Sequence, residues 1–148
     1  MLKNYLERQA VKMCSAKDWQ EAIEKAAQPL IEEKKIEPAY LQRTLENVRQ
    51  LGAYIVLAKG IAVAHARPGE DVSASCVSMM GLEQPIPFGH KQYDPVHIVL
   101  MMAAPDDTAH IQLMMEIAQK LSQTEVMQAL EKAENEDQLF AAMTWGEE

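Results

Sequence analysis

Cysteine is nearly missing from this sequence: Cys14 and Cys76 stand alone, far apart and without C-x-x-C spacing. That excludes a disulfide framework and a thiolate cage, and fits unpaired thiols in a reducing, cytoplasmic setting. Positive charge is also short. Fourteen Lys and Arg face 22 Asp and Glu, a formal net charge of -8. Nucleic acid and anionic membrane surfaces are therefore poor candidates for partners, whereas the basic face of another protein is permitted. Long apolar runs are missing too. The longest are strand-sized and the N-terminus has no apolar h-region, so neither a signal peptide nor direct membrane insertion is expected. Nor is there a Walker loop or a G-x-S-x-G elbow, which excludes direct use of ATP and a serine-hydrolase mechanism. The four histidines, even with Asp94, Asp106 and Asp107, form no H-E-x-x-H, close His pair or Cys-His spacing. No metal and no other cofactor is expected.

What is present is a globular composition: 48% hydrophobic residues in 148 positions, without internal repeat, low-complexity tract or linker. One domain spanning 1–148 is the expectation. The ten methionines, several in pairs such as Met101-Met102 and Met114-Met115, read as core filler.

Residues 1–14 are weakly amphipathic and fit a short helix or a strand-like arm. Ser15 and Asp18 resemble a capping box before a stripe of Trp19, Ala22, Ile23, Ala26 and Leu30, with a kink or early end possible at Pro29. Pro38 opens a second helix with Leu41, Leu45 and Val48 inward, closed by Gly52. The pattern then turns extended. Tyr54–Leu57 and Ile61–Ala64 read as strands and Val72–Met80 as a third. Gly81–Gln84 reads as a connection, and the prolines of Pro85–Phe88 restrict that segment to an edge. Val96–Ala104 is nearly continuously apolar, as in a central strand covered on both faces. Asp106 and its neighbours cap a helix with a stripe of Ile111, Met114, Met115, Ala118 and Leu121. Thr124 caps a short helix, and Asn135 or Asp137 starts the last. Strands this close together exclude repeated βαβ units and imply an α/β fold, a mixed sheet with helices packed on it.

The chemistry converges on Tyr54 to Pro68. After the Lys59-Gly60 turn, the short strand Ile61–Ala64 stops at His65, followed by Arg67 and a Pro-Gly turn. An imidazole on a rigid edge beside a fixed positive charge suits a nucleophile that accepts an anion such as a phosphoryl group. A histidine that merely closes a strand fits the same residues. His110 falls in the first turn of a helix, where the macrodipole favours a neutral ring and backbone N–H groups face outward to anions, although an exposed histidine near a cap fits equally. Arg67, two residues after His65, shares its face if extension continues, and its fork of donors matches phosphate; a surface ion pair is the alternative. Arg49, near the end of the second helix, is a further candidate from the side. His97 reads as a core or sheet-edge residue and His90 as part of a polar loop.

Together these residues resemble a known family. GIAVAHARP is similar to the active-site segment of the fructose/mannitol-type enzyme IIA domains of the bacterial sugar phosphotransferase system, which carry Gly, apolar, Ala, apolar, Pro, His at the phosphorylated histidine. DPVHIVLMMAAPDDTAHIQLM resembles the family's central strand and the helix bearing its second site histidine. YIVLAKG, ARP and PIPFGHKQYDPV make the chain most similar to the ascorbate-type members. Two departures stand out. Ala64 replaces the proline that most relatives place before the histidine, and Gln50 follows Arg49 where mannitol-type members have an Arg-Glu pair.

The resemblance implies a single type 2 EIIA domain of the mannitol-type fold, a mixed sheet with helices on both faces. It also implies a cytoplasmic phosphotransferase with a phosphohistidine intermediate. The carrier HPr would hand a phosphoryl group to His65. His65 would pass it to a cysteine on the cognate enzyme IIB, and the IIC membrane component would couple that step to uptake of a sugar, ascorbate by branch. His110 and an arginine, Arg67 or Arg49, would stabilise the transferring oxygens. The competing expectation is a regulatory module controlled by phosphorylation of the same histidine, distinguished by whether phosphate moves on to IIB.

Overall fold

Five strands form one sheet: β1 (Leu6–Cys14), β2 (Val56–Ala58), β3 (Ile61–Ala64), β4 (Cys76–Ile86) and β5 (Val96–Ala103), in the order β1-β4-β5-β3-β2. The computed structural model describes residues 1–147. The apolar run expected at the centre is there as β5, antiparallel to β4 and parallel to β3. Every residue of β5 except His97 is buried, because alternate side chains serve two cores. Val99, Met101 and Ala103 pack with α1 (Trp19–Glu32) and α2 (Pro38–Leu51) on one face. Ile98, Leu100 and Met102 pack with α3 (Asp107–Leu121), α4 (Thr124–Lys132) and α5 (Glu136–Met143) on the other. The fold is α/β, a mixed sheet flanked by helices on both faces. No helix among the described residues is long and apolar enough to cross a membrane.

Several local expectations are corrected. Of the two forms expected of the N-terminal arm, the strand is the one found beyond Leu2–Asn4: β1 has nine residues and runs parallel to β4 at the sheet edge. The cap of α1 is Asp18 itself: its carboxylate accepts from the Glu21 N–H at 2.9 Å, and Glu21 reaches back to the Lys17 N–H. Pro29 does not end α1, since it removes one donor near the last turn and the helix continues to Glu32. Val72 makes only an isolated bridge to Ile36. β4 is one strand through Ile86, with an irregularity between Gly81 and Ile86 in place of a separate connection and edge segment. β1 accompanies β4 only as far as Leu82, so Pro85 faces no β1 acceptor that its missing N–H would deprive. Gln123, not Thr124, is the cap position of α4, and Asn135 caps α5.

β3 and β5 run in the same direction, with Ala64 beside Met101. Their carboxyl ends therefore leave the sheet at one edge. His65 follows β3 and α3 follows β5, so topology alone sends both candidate histidines to that edge, where open α/β sheets usually bind ligands.

Candidate active site at the carboxyl edge of the sheet

His65 is the first residue past the β3 ladder and is half-buried. Its Nδ1 lies 2.8 Å from the Val63 carbonyl oxygen. A carbonyl only accepts, so Nδ1 carries the proton and Nε2 keeps its lone pair. Burial pushes the His65 pKa below its ordinary value, and the nearby His110 pushes the same way, opposed by the Val63 carbonyl. At neutral pH the ring is an uncharged imidazole with one fixed tautomer, the form a nucleophile needs.

The second ring faces it. The His65 and His110 centroids are 5.8 Å apart, tilted by 55°. His110 sits in the opening of α3, with its own N–H already bonded to the Asp106 carbonyl at 2.9 Å. Asp106 caps the helix by accepting from the Ala109 N–H at 2.8 Å, so part of the donor set expected to face an anion is occupied. Nδ1 of His110 is buried without a hydrogen-bond partner among the described residues. A buried polar atom left unpaired is costly and commonly marks a place where function requires it.

The arginines are placed differently from each other. β3 ends at Ala64, so extension does not continue to Arg67 and the shared-face expectation does not hold. Arg67 is exposed, and its guanidinium forms no hydrogen bond or ion pair among the described residues. Arg49 is engaged elsewhere, 3.3 Å from Glu46 on its own helix and 3.1 Å from Gln20 on α1. His90 stacks on Tyr93 at 4.5 Å and accepts from two loop N–H groups. Asp94 accepts from the N–H groups of Phe88, Gly89 and His90. Both thus organise their loop. His97 packs against Gly60, whose φ of 76° and missing Cβ make room for the ring.

Three groups escaped the sequence reading. Tyr40, fully buried on α2, accepts from the Ala66 N–H at 2.9 Å and donates to the Met102 carbonyl at 2.7 Å. Burial drives its phenol pKa far upward, so it stays protonated and able to donate. Tyr54 donates to the His65 carbonyl at 3.1 Å, and its ring meets the imidazole edge-on at 5.5 Å. Arg43 makes a two-pronged pair with Asp71 at 2.8 and 2.9 Å and donates to the Arg67 carbonyl at 2.8 Å, fastening the loop after His65. A signal for Tyr40 was available: it lies four residues before Thr44 on the buried side of α2, where a phenol needs a polar partner.

The α3 stripe is also corrected. Leu113, Ile117 and Lys120 face inward, whereas Ile111 and Met115 are 58% and 57% exposed. The two are one turn apart on the helix that carries His110, so an apolar patch adjoins the paired histidines.

Residues 4–144 match the family described as phosphoenolpyruvate-dependent sugar phosphotransferase system, EIIA 2. The ascorbate-specific PTS system EIIA component of Escherichia coli (strain K12) is 36% identical over 129 residues, 87% of this chain and 79% of that protein. The solution structure of the mannitol-specific cryptic phosphotransferase enzyme IIA CmtB from Escherichia coli matches with a TM-score of 0.89 at 29% identity, covering 98% of this chain and 99% of that one. A chain in the Escherichia coli complex of enzyme IIAMTL and phosphorylated enzyme IIBMTL shares the fold, with a TM-score of 0.77, 22% identity, and coverage of 94% of this chain and 98% of that one. The chain therefore belongs to the EIIA 2 family of the phosphoenolpyruvate-dependent sugar phosphotransferase system.

Proposed function

We propose that this IIA component is a cytoplasmic phosphoryl carrier that accepts phosphate from HPr on Nε2 of His65 and delivers it to a cysteine of its cognate enzyme IIB. Residues 1–148 act as one domain in this relay. The observation that supports it most is the pair of facing imidazoles, 5.8 Å apart, with Nδ1 of His65 tied to Val63. The Nε2 lone pair forms a new N–P bond as the N–P bond to the donor histidine breaks. The proton stays on Nδ1, hydrogen-bonded to the Val63 carbonyl, and that bond stabilises the positive charge that grows on the ring. In the onward step the IIB thiolate attacks phosphorus, an S–P bond forms, and the electron pair of the broken N–P bond returns to Nε2.

His110 presents a ring N–H to the phosphoryl oxygens. Arg67, whose guanidinium has no partner among the described residues, is the arginine placed to swing to them. Arg49 would first have to leave Glu46 and Gln20. Partners dock on the apolar patch of Ile111 and Met115, and the net charge of -8 favours a carrier with a basic face. The IIC component acts downstream of IIB, coupling that step to uptake. Ascorbate is the proposed cargo because the ascorbate-specific relative is 36% identical; the fold, shared with a mannitol-specific protein, carries no weight in that choice.

The test is incubation with enzyme I, HPr and phosphoenolpyruvate, mapping of the phosphorylated residue, and then presentation to purified ascorbate-, mannitol- and fructose-type IIB. Label on His65 Nε2 that moves fastest to ascorbate-type IIB is expected. Label on another residue would overturn the carrier site, and fastest transfer to another IIB would overturn the sugar.

A further inference from the structure

We infer that Tyr54 and Tyr40 are positioning residues that grip, at both of its polar ends, the peptide unit joining His65 to Ala66. The His65 carbonyl and the Ala66 N–H belong to one rigid plane. Tyr54 donates to the oxygen at 3.1 Å, and the N–H donates to Tyr40 at 2.9 Å. Holding both poles fixes the tilt of that plane, and with it the backbone from which the imidazole projects.

The need for such a device follows from where the sheet stops. β3 pairs with β5 only through Ala64, so His65 has no ladder partner. Just where the ladder gives out, two phenols from outside the sheet replace it. Tyr40 in turn donates its own O–H to the Met102 carbonyl at 2.7 Å, near the end of β5. That strand leads directly into the cap of α3, so a single hydroxyl ties the His65 peptide to the backbone that carries His110. Tyr54 adds a wall: its ring edge meets the imidazole at 5.5 Å and 79°, limiting the rotation left to the ring. The phenol of Tyr54 is pushed above its ordinary pKa by burial, against a hydrogen bond from Asn47, and so remains a donor. A nucleophile that must meet phosphorus in line gains from this restraint, because small displacements of a reacting atom are expensive in rate.

The consequence for transfer rests on His65 being the phosphoryl acceptor, as proposed above; the restraint itself does not. The experiment therefore has two arms on the full chain, using Tyr54→Phe and Tyr40→Phe. The first measures phosphoryl uptake against the concentration of phosphorylated HPr. Tyr54→Phe, with a half-buried ring and no change of shape, is expected to lower kcat about tenfold with KM unchanged. The second arm uses unphosphorylated protein: amide hydrogen exchange at Ala66 and the ring 15N shifts of His65. Ala66 is expected to exchange at least about tenfold faster in Tyr40→Phe, and the His65 shifts in Tyr54→Phe to move toward the tautomer average. A kcat within about twofold of wild type for Tyr54→Phe, or a rise in KM alone, would overturn the positioning role. If Tyr40→Phe does not fold, Tyr54→Phe decides both arms. If the wild-type protein takes up no phosphate, the carrier function has failed, and unchanged ring shifts and Ala66 exchange would then overturn the clamp separately.

Discussion

Lowering the pH from about 8 to about 5 separates His65 from an ordinary histidine, whose pKa is about 6.5. Burial is the main reason its folded pKa lies lower, helped by His110 and opposed by the Val63 carbonyl. As the pH falls through about 6.5 the unfolded chain binds a proton that the folded ring still refuses. Stability is therefore complete above that value and declines until the folded pKa is reached, with a slope of at most about 1.4 kcal/mol per pH unit for one group. His97 adds a loss of the same sign, also from burial, with Glu131 opposing it; solvent at its partly exposed ring reduces that share. Asp71, lowered by its hydrogen bonds from Arg43, acts with the same sign in a lower window, losing stability only as the pH falls through the ordinary carboxylate range. Urea unfolding across the pH range, for wild type, His65→Gln and His97→Gln, isolates each term. The wild-type curve should fall more steeply than that of His65→Gln below about pH 6.5, by up to the slope above. The same shift predicts phosphoryl uptake at about pH 6, where an ordinary histidine is roughly three-quarters protonated. Parallel curves for wild type and His65→Gln would refute the neutral, desolvated ring.

His65→Ala should fold and take up no acid-labile phosphate, checked by labelling and by circular dichroism. His110→Ala should still be phosphorylated but pass the group to IIB about a hundredfold more slowly, the loss expected for one stabilising donor; wild-type rates in both directions would remove its role. Ile111→Asp with Met115→Asp should raise KM for the protein partners about tenfold while leaving the melting temperature unchanged, because both side chains are already exposed. Leu100→Ala, in the middle of β5 with 0% exposure, should cost about 2–5 kcal/mol in urea unfolding.

The central strand and the helix pair before it were legible because burial writes itself into composition. A strand covered on both faces has no reason to alternate, and Val96–Ala103 does not. The stripe of α3 misled for a related reason. Its apolar residues occupy two faces, one turned to the sheet and one turned outward, and periodicity counts apolar residues without asking what they touch. Leu113 and Ile117 pack on the sheet, while Ile111 and Met115 meet solvent beside His110. The misplaced part of the pattern is the part proposed above as the docking patch.

The site divides along the same line. His65 and His110 could be picked out as candidates because each marks a change of pattern, the end of a strand and the start of a helix; parallel pairing of β3 with β5 brings those two ends together. What holds them was hidden, since hydrogen bonds from Tyr40, Tyr54 and Arg43 go to backbone atoms of Ala66, His65 and Arg67. A side chain that binds backbone has no partner residue type to look for; any sequence offers a carbonyl. Ala64 sharpens the point. The family segment that this sequence resembles carries proline there, which would stiffen the chain covalently before the histidine; alanine leaves that stiffness to be supplied by contacts from α2 and the loop beyond it. Replacing Ala64 by proline in the Tyr54→Phe background therefore tests whether the two devices are interchangeable. Recovery of kcat toward the wild-type value is the expected outcome, and a double variant no faster than Tyr54→Phe alone would show that the phenol does something a rigid backbone cannot.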